Sequence, residues 1–219
     1  MLKAILFDMD GTLGDTVTLC VEAYRRTTLE VSGRLPDAAE VTSLFGISDR
    51  GVLAGLLGME YDSPTLPIEH FVHVYEDLHD SLAPEPYTGA VAVLRRLRDL
   101  GLKIGLLTGK EHYTADPTLR RYGMEGLFDL VLTGKPTHNC KDECLVEAMQ
   151  AWQLQADEII YVGDAPTDIE HCHRVGVRII NAGWGSHAAA EEAACMALQP
   201  DYRLTNFSEL EPLIIELIS

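Results

Sequence analysis

Residues 15–85 contain no lysine, although 13 acidic residues and four arginines fall there. The whole chain is short of positive charge, with 17 Lys and Arg against 34 Asp and Glu and a formal net charge of −17. That balance excludes a nucleic-acid binder, which needs cations to neutralise phosphates, and a protein docked on anionic membranes. It does not exclude a phosphorylated small molecule, which responds to the local site. No run reaches the ~18 uninterrupted apolar residues of a spanning helix. The first apolar run, residues 2–7, is short and stops at Asp8, which excludes a signal peptide. Cysteine is sparse and unpaired in pattern: five residues, an odd number, with no CxxC. Reduced thiols and a cytoplasmic location are expected. His171-Cys172-His173 is no metal motif, because it falls in a predicted helix, where adjacent side chains point apart.

What is present is an alternation. Five aliphatic runs predict buried strands: residues 3–8, 103–108, 128–133, 158–164 and 177–182. They are nearly continuous in hydrophobicity, as strands covered on both faces must be. Helices are predicted between them at 89–100, 142–152 and 166–175, the last opening at Pro166 and closing at Gly176. The fold class that follows is α/β, a doubly wound parallel sheet with its site beyond the carboxyl ends of the strands. Residues 15–85 break the alternation. They contain no convincing strand but amphipathic helix at 16–33, capped by Asp15 or Thr16, more helix over 41–58, the loop 61–67 and helix again over 68–82. We therefore expect a core formed by residues 1–14 and 86–219, with a helical insertion over 15–85 and a Pro-rich return linker at 83–89.

The strand ends carry the chemistry. The first ends in Asp8, with Asp10 two residues on; the second in Thr108-Gly109-Lys110; the third leads toward Lys135 and Lys141; the fourth ends in Gly163-Asp164, with Asp168 following. Carboxylates converging in one pocket repel unless a cation sits among them. Hard oxygen ligands of this kind suit Mg²⁺. A metal, an acidic nucleophile, a second acid and a lysine are the parts that phosphoryl transfer needs.

Asp8-Met9-Asp10-Gly11-Thr12-Leu13, then Thr108 at a strand end, a lysine, and Gly163-Asp164 with Asp168 together resemble the haloacid dehalogenase superfamily of phosphohydrolases. The order and spacing agree over essentially the whole chain. The resemblance implies Asp8 as nucleophile, forming an aspartyl-phosphate, and Asp10 as acid and base. It implies that Thr108 and the Gly109 amide bind phosphoryl oxygens. Mg²⁺ would be held by Asp8, Asp164 and the Asp10 carbonyl, and Asp168 would orient the lysine or a metal-bound water. Lys135 and Lys141 compete for the lysine position. Lys141 lies 23 residues before Asp164 and opens a helix, which favours it over Lys135, 29 before.

Within the family, Asp10 argues against a dehalogenase. The lysine-free insertion argues against a phosphonatase and weakens a β-phosphoglucomutase-like reading. The expected activity is hydrolysis of a small phosphorylated metabolite, similar to phosphoglycolate phosphatases, with a nucleotidase or pyrophosphatase as alternatives; a non-catalytic phosphate-binding relative stays possible. A signalling receiver domain shares the acid, Thr and Lys but has no use for Asp10 or the insertion. The loop 45–51 is the candidate to reach into the site, with Arg50 pairing a second anionic group of the substrate or simply a nearby acid. His70 and His73, one turn apart, read as surface or packing residues. Gly14 stands where relatives carry an aliphatic residue, a departure expected to loosen the hinge into the insertion. Oligomeric state is not encoded legibly.

Overall fold

In the computed structural model, which describes residues 1–218, six parallel strands form one sheet. They are β1 (Ala4–Phe7), β2 (Lys103–Thr108), β3 (Leu130–Thr133), β4 (Ile159–Gly163), β5 (Arg178–Ala182) and β6 (Tyr202–Leu204), in the order β3-β2-β1-β4-β5-β6. Because side chains alternate along a strand, β1 to β5 each feed two cores. Ile5, Phe7, Ile104, Leu106, Ile160, Val162 and Ile180 pack on one face. Ala4, Leu6, Leu107, Ile159, Tyr161 and Ile179 pack on the other. This double burial is why the strands read as continuous apolar runs.

Ten helices accompany the sheet among the described residues. In the first segment are α1 (Val17–Ser32), α2 (Ala38–Thr42), α3 (Asp49–Leu57) and α4 (Ile68–Leu82). They share a separate apolar cluster built on Leu19, Tyr24, Leu53, Phe71 and Tyr75. Tyr24 and Phe71 stack at 4.6 Å between ring centroids. After this helical unit come α5 (Ala90–Asp99), α6 (His112–Arg121), α7 (Lys141–Trp152), α8 (Pro166–Val175), α9 (Ala188–Ala197) and α10 (Leu210–Ile218).

Three details depart from the sequence expectations. The helix expected over 41–58 divides into α2 and α3, with Phe45-Gly46-Ile47 looping between them. The Thr16 hydroxyl does not cap its own helix but donates to Asp10. Gly14 pairs with Pro86 where the chain leaves and re-enters the sheet layer. A Cβ there would lie 2.4 Å from the Tyr122 ring, so this glycine makes room for an aromatic side chain, a role the sequence did not show.

Candidate functional site

At the carboxyl ends of β1, β2 and β4 lies a cleft of about 450 Å³, where the strand order changes direction around β1. Asp8, Asp10, Gly109, Lys110, Lys141 and Asp164 line its floor. Thr42, Phe45, Gly46, Ile47, Asp49 and Val52 of the helical unit form its roof.

Asp8 follows β1 directly and is buried. Its Oδ1 accepts the Met9 amide at 2.7 Å and its Oδ2 accepts Lys141 Nζ at 2.7 Å. The same ammonium donates to Asp168 Oδ1, and Asp168 Oδ2 accepts the Ala165 amide at 3.1 Å. Lys141 is the first residue of α7, so the helix start aims it at the strand ends. Burial alone would pull its ammonium down, but Asp168 and Asp8 together hold it well above its usual range. Lys135 lies on the surface, half exposed, and pairs with Glu143.

Asp164 follows β4, and its Oδ1 accepts the Thr12 hydroxyl at 3.0 Å. Two glycines are required here by close approach. At Gly11, with φ of +73°, a Cβ would lie 2.2 Å from Asp164 Oδ2; at Gly163 it would lie 2.4 Å from Asp168 Oδ2. Thr108 ends β2 beside β1 and is buried. Its hydroxyl oxygen accepts the Lys110 amide at 3.2 Å; the neighbouring Gly109 and Lys110 line the cleft.

Asp8, Asp164 and Asp168 each offer a carboxylate oxygen, all within 4.8 Å of one another. Burial first, then Asp168 and Asp10, push Asp8 up to about 7 against the pull of Lys141. Burial, then Asp168 and Asp8, also push Asp164 up. The cluster therefore carries more buried negative charge than Lys141 balances, and its all-oxygen donors suit a hard divalent cation. The residues fit a site for such a cation.

Two placements differ from the sequence reading. Arg50 does not line the cleft. Its guanidinium donates to the Tyr61 carbonyl at 3.1 Å, beside a separate outer pocket. Asp49 faces the cleft, and the next helical residue is rotated about 100° away from it. Lys110, to which the sequence assigned no role, is buried against Asp10 at 3.2 Å. A lysine straight after a strand-end Thr-Gly was the signal for it. His70 and His73 lie on the surface and pair with Glu30 and Asp77.

Residues 5–182 match the family described as haloacid dehalogenase-like hydrolase. A phosphoglycolate phosphatase from Synechococcus elongatus is 28% identical, with 99% of each chain covered. The pyrophosphatase PpaX from Bacillus mycoides is 25% identical, with 97% of each covered. The crystal structure of CbbY from Rhodobacter sphaeroides in complex with phosphate superposes with a TM-score of 0.76 at 20% identity, covering 96% of both chains. The chain belongs to the haloacid dehalogenase-like hydrolases.

Proposed function

We propose that this hydrolase cleaves a small phosphate monoester through an aspartyl-phosphate on Asp8, in the manner of phosphoglycolate phosphatases. The observation that carries the reading is the contact between Lys141 and Asp8 at 2.7 Å, with Asp164 and Asp168 beside it and Asp10 in the same cleft.

In the first step a carboxylate oxygen of Asp8 attacks phosphorus as the bond to the leaving oxygen breaks, and Asp10 gives that oxygen its proton. In the second, water attacks the aspartyl-phosphate and its proton returns to Asp10, freeing Asp8. Lys141 neutralises charge on the nucleophile and phosphoryl oxygens, and Asp168 fixes the lysine. The Gly109 amide and Thr108 would bind the phosphoryl group. Mg²⁺, held by Asp8, Asp164 and the Asp10 carbonyl, would screen the nucleophile from the incoming dianion.

The helices over 15–85 act as a cap that closes on the leaving group, with residues 1–14 and 86–219 as the hydrolase core. The cleft volume of about 450 Å³ suits a small metabolite. The similarity to a named pyrophosphatase supports a second reading, in which inorganic pyrophosphate is the substrate. Five buried, free cysteines accord with action in the reducing cytoplasm.

The test is Mg²⁺-dependent phosphate release from p-nitrophenyl phosphate, followed by a screen of phosphorylated metabolites and pyrophosphate. Turnover that requires Mg²⁺ and vanishes in Asp8→Asn supports the reading. Turnover unaffected by that substitution contradicts it.

A further inference from the structure

Lys110 lies between the cap and the core with 2% of its side chain exposed. Its Nζ is 3.2 Å from Asp10 Oδ1, 2.9 Å from Cys20 Sγ on α1, and 4.6 Å from the centre of the Tyr75 ring on α4. An ammonium has three N–H donors, and these three neighbours account for them: one carboxylate of the core, one thiol and one aromatic face of the cap. A ligand for a substrate's anionic group needs a free donor, so Lys110 does not have that role.

The same contacts distinguish the two oxygens of Asp10. Oδ1 accepts the Thr16 hydroxyl, lies 3.5 Å from Cys20 Sγ and faces Lys110. Oδ2 accepts no hydrogen bond among the described residues. The terminal torsion of an aspartate is broad and roughly two-fold, so an unheld carboxyl would offer either oxygen to the cleft in a range of planes. Several donors on one oxygen fix both the plane and the choice.

We propose that Lys110 is a positioning residue for Asp10: wedged between cap and core, it holds Oδ1 and leaves Oδ2 to exchange the proton, with Cys20 and Tyr75 keeping it in place while the cap is closed. The inference rests on the phosphatase reading given above. In the first step the proton on Oδ2 passes to the leaving oxygen as the P–O bond breaks; in the second, a proton from the attacking water returns to Oδ2. Lys110 neither gives nor takes one.

Leaving groups separate this role from a merely structural one. p-Nitrophenolate departs as a stable anion without a proton, whereas the alkoxide of glycerol 2-phosphate needs one. kcat/KM reports only steps up to loss of the alcohol, so hydrolysis of the intermediate does not enter. Lys110→Met is expected to lower kcat/KM for glycerol 2-phosphate by about 10²-fold and that for p-nitrophenyl phosphate by less than about fivefold. Cys20→Ala, which leaves both charged groups in place, shows the same bias at about a tenth of the size and carries the test if the lysine variant does not fold. Equal losses on the two esters, or no loss on either, overturn the inference while leaving the phosphatase reading intact. No turnover of either ester by the unaltered enzyme overturns that reading and the inference with it.

Discussion

Asp49 and Glu111 cap each other's helices where the helical unit of α1–α4 meets α6. Asp49, first residue of α3, accepts the Glu111 amide at 2.8 Å and the Thr114 hydroxyl through Oδ2. Glu111, preceding α6, accepts the Arg50 amide at 3.1 Å and the Ser48 hydroxyl at 2.6 Å through Oε1. Each carboxylate thus satisfies a helix N-terminus belonging to the other unit, where unpaired amides await acceptors. Tyr24 adds a hydrogen bond to Asp49 Oδ1 at 2.5 Å, tying α1 into the same contact.

Breaking this pair should loosen the contact between α3 and α6 while leaving Asp8, Lys141 and Asp164 in place. Asp49→Ala and Glu111→Ala are each expected to cost about 1–2 kcal/mol in urea unfolding. In a double-mutant cycle the two losses should add to more than the loss in the double variant, because both report one junction. Small-angle scattering should show a larger radius of gyration in either variant.

Lys141 and Lys135 should behave oppositely. Lys141→Met leaves Asp8 and Asp168 buried without their shared cation, so kcat/KM is expected to fall by at least about 10²-fold. Lys135 holds a surface ion pair, and Lys135→Ala should stay within about threefold. Steady-state kinetics on p-nitrophenyl phosphate read both.

Gly11→Ala should damage the proposed magnesium site from outside its proposed ligands. The new methyl would meet Asp164 Oδ2 at 2.2 Å, on a backbone whose φ of +73° disfavours any Cβ. The Mg²⁺ concentration for half-maximal activity is expected to rise about tenfold or more, in the range seen for lost supporting contacts. A magnesium titration of initial rates checks it.

His79 makes stability fall in acid. Burial, then the nearby Arg121 cation, pulls its imidazole down to about 4. The unfolded chain titrates near 6.5, so between these values the native state binds fewer protons than the unfolded one. The contribution of His79 to stability is therefore expected to be complete above about pH 6.5 and lost as pH drops toward 4. Urea midpoints at about pH 7.5 and about pH 5 should differ less in His79→Leu than in the unaltered chain.

The candidate site was legible where it depends on position along one strand, and obscure where it depends on meetings between distant segments. Asp8, Thr108 and Asp164 each sit at the end of an apolar run, and a parallel sheet brings such ends together. β6 escaped notice because Tyr202–Leu204 is three residues long and only half buried. α6 is polar and contains Pro117, so no helical pattern stands out. Glu111 and Asp49 are 62 positions apart and meet only once α3 docks on the start of α6. Arg50 was the conspicuous cation of its loop, yet the turn of α3 gives the cleft to Asp49 instead.

The central claim is that Asp8 becomes phosphorylated during turnover. Rapid acid quenching with a slowly hydrolysed phosphate ester, followed by peptide mass spectrometry, tests it directly. The prediction is one added phosphoryl group on the peptide containing Asp8, absent from Asp8→Asn and lost on treatment with hydroxylamine. A chain that turns over substrate while no phosphoryl group appears on Asp8, or that carries one on another residue, would contradict it.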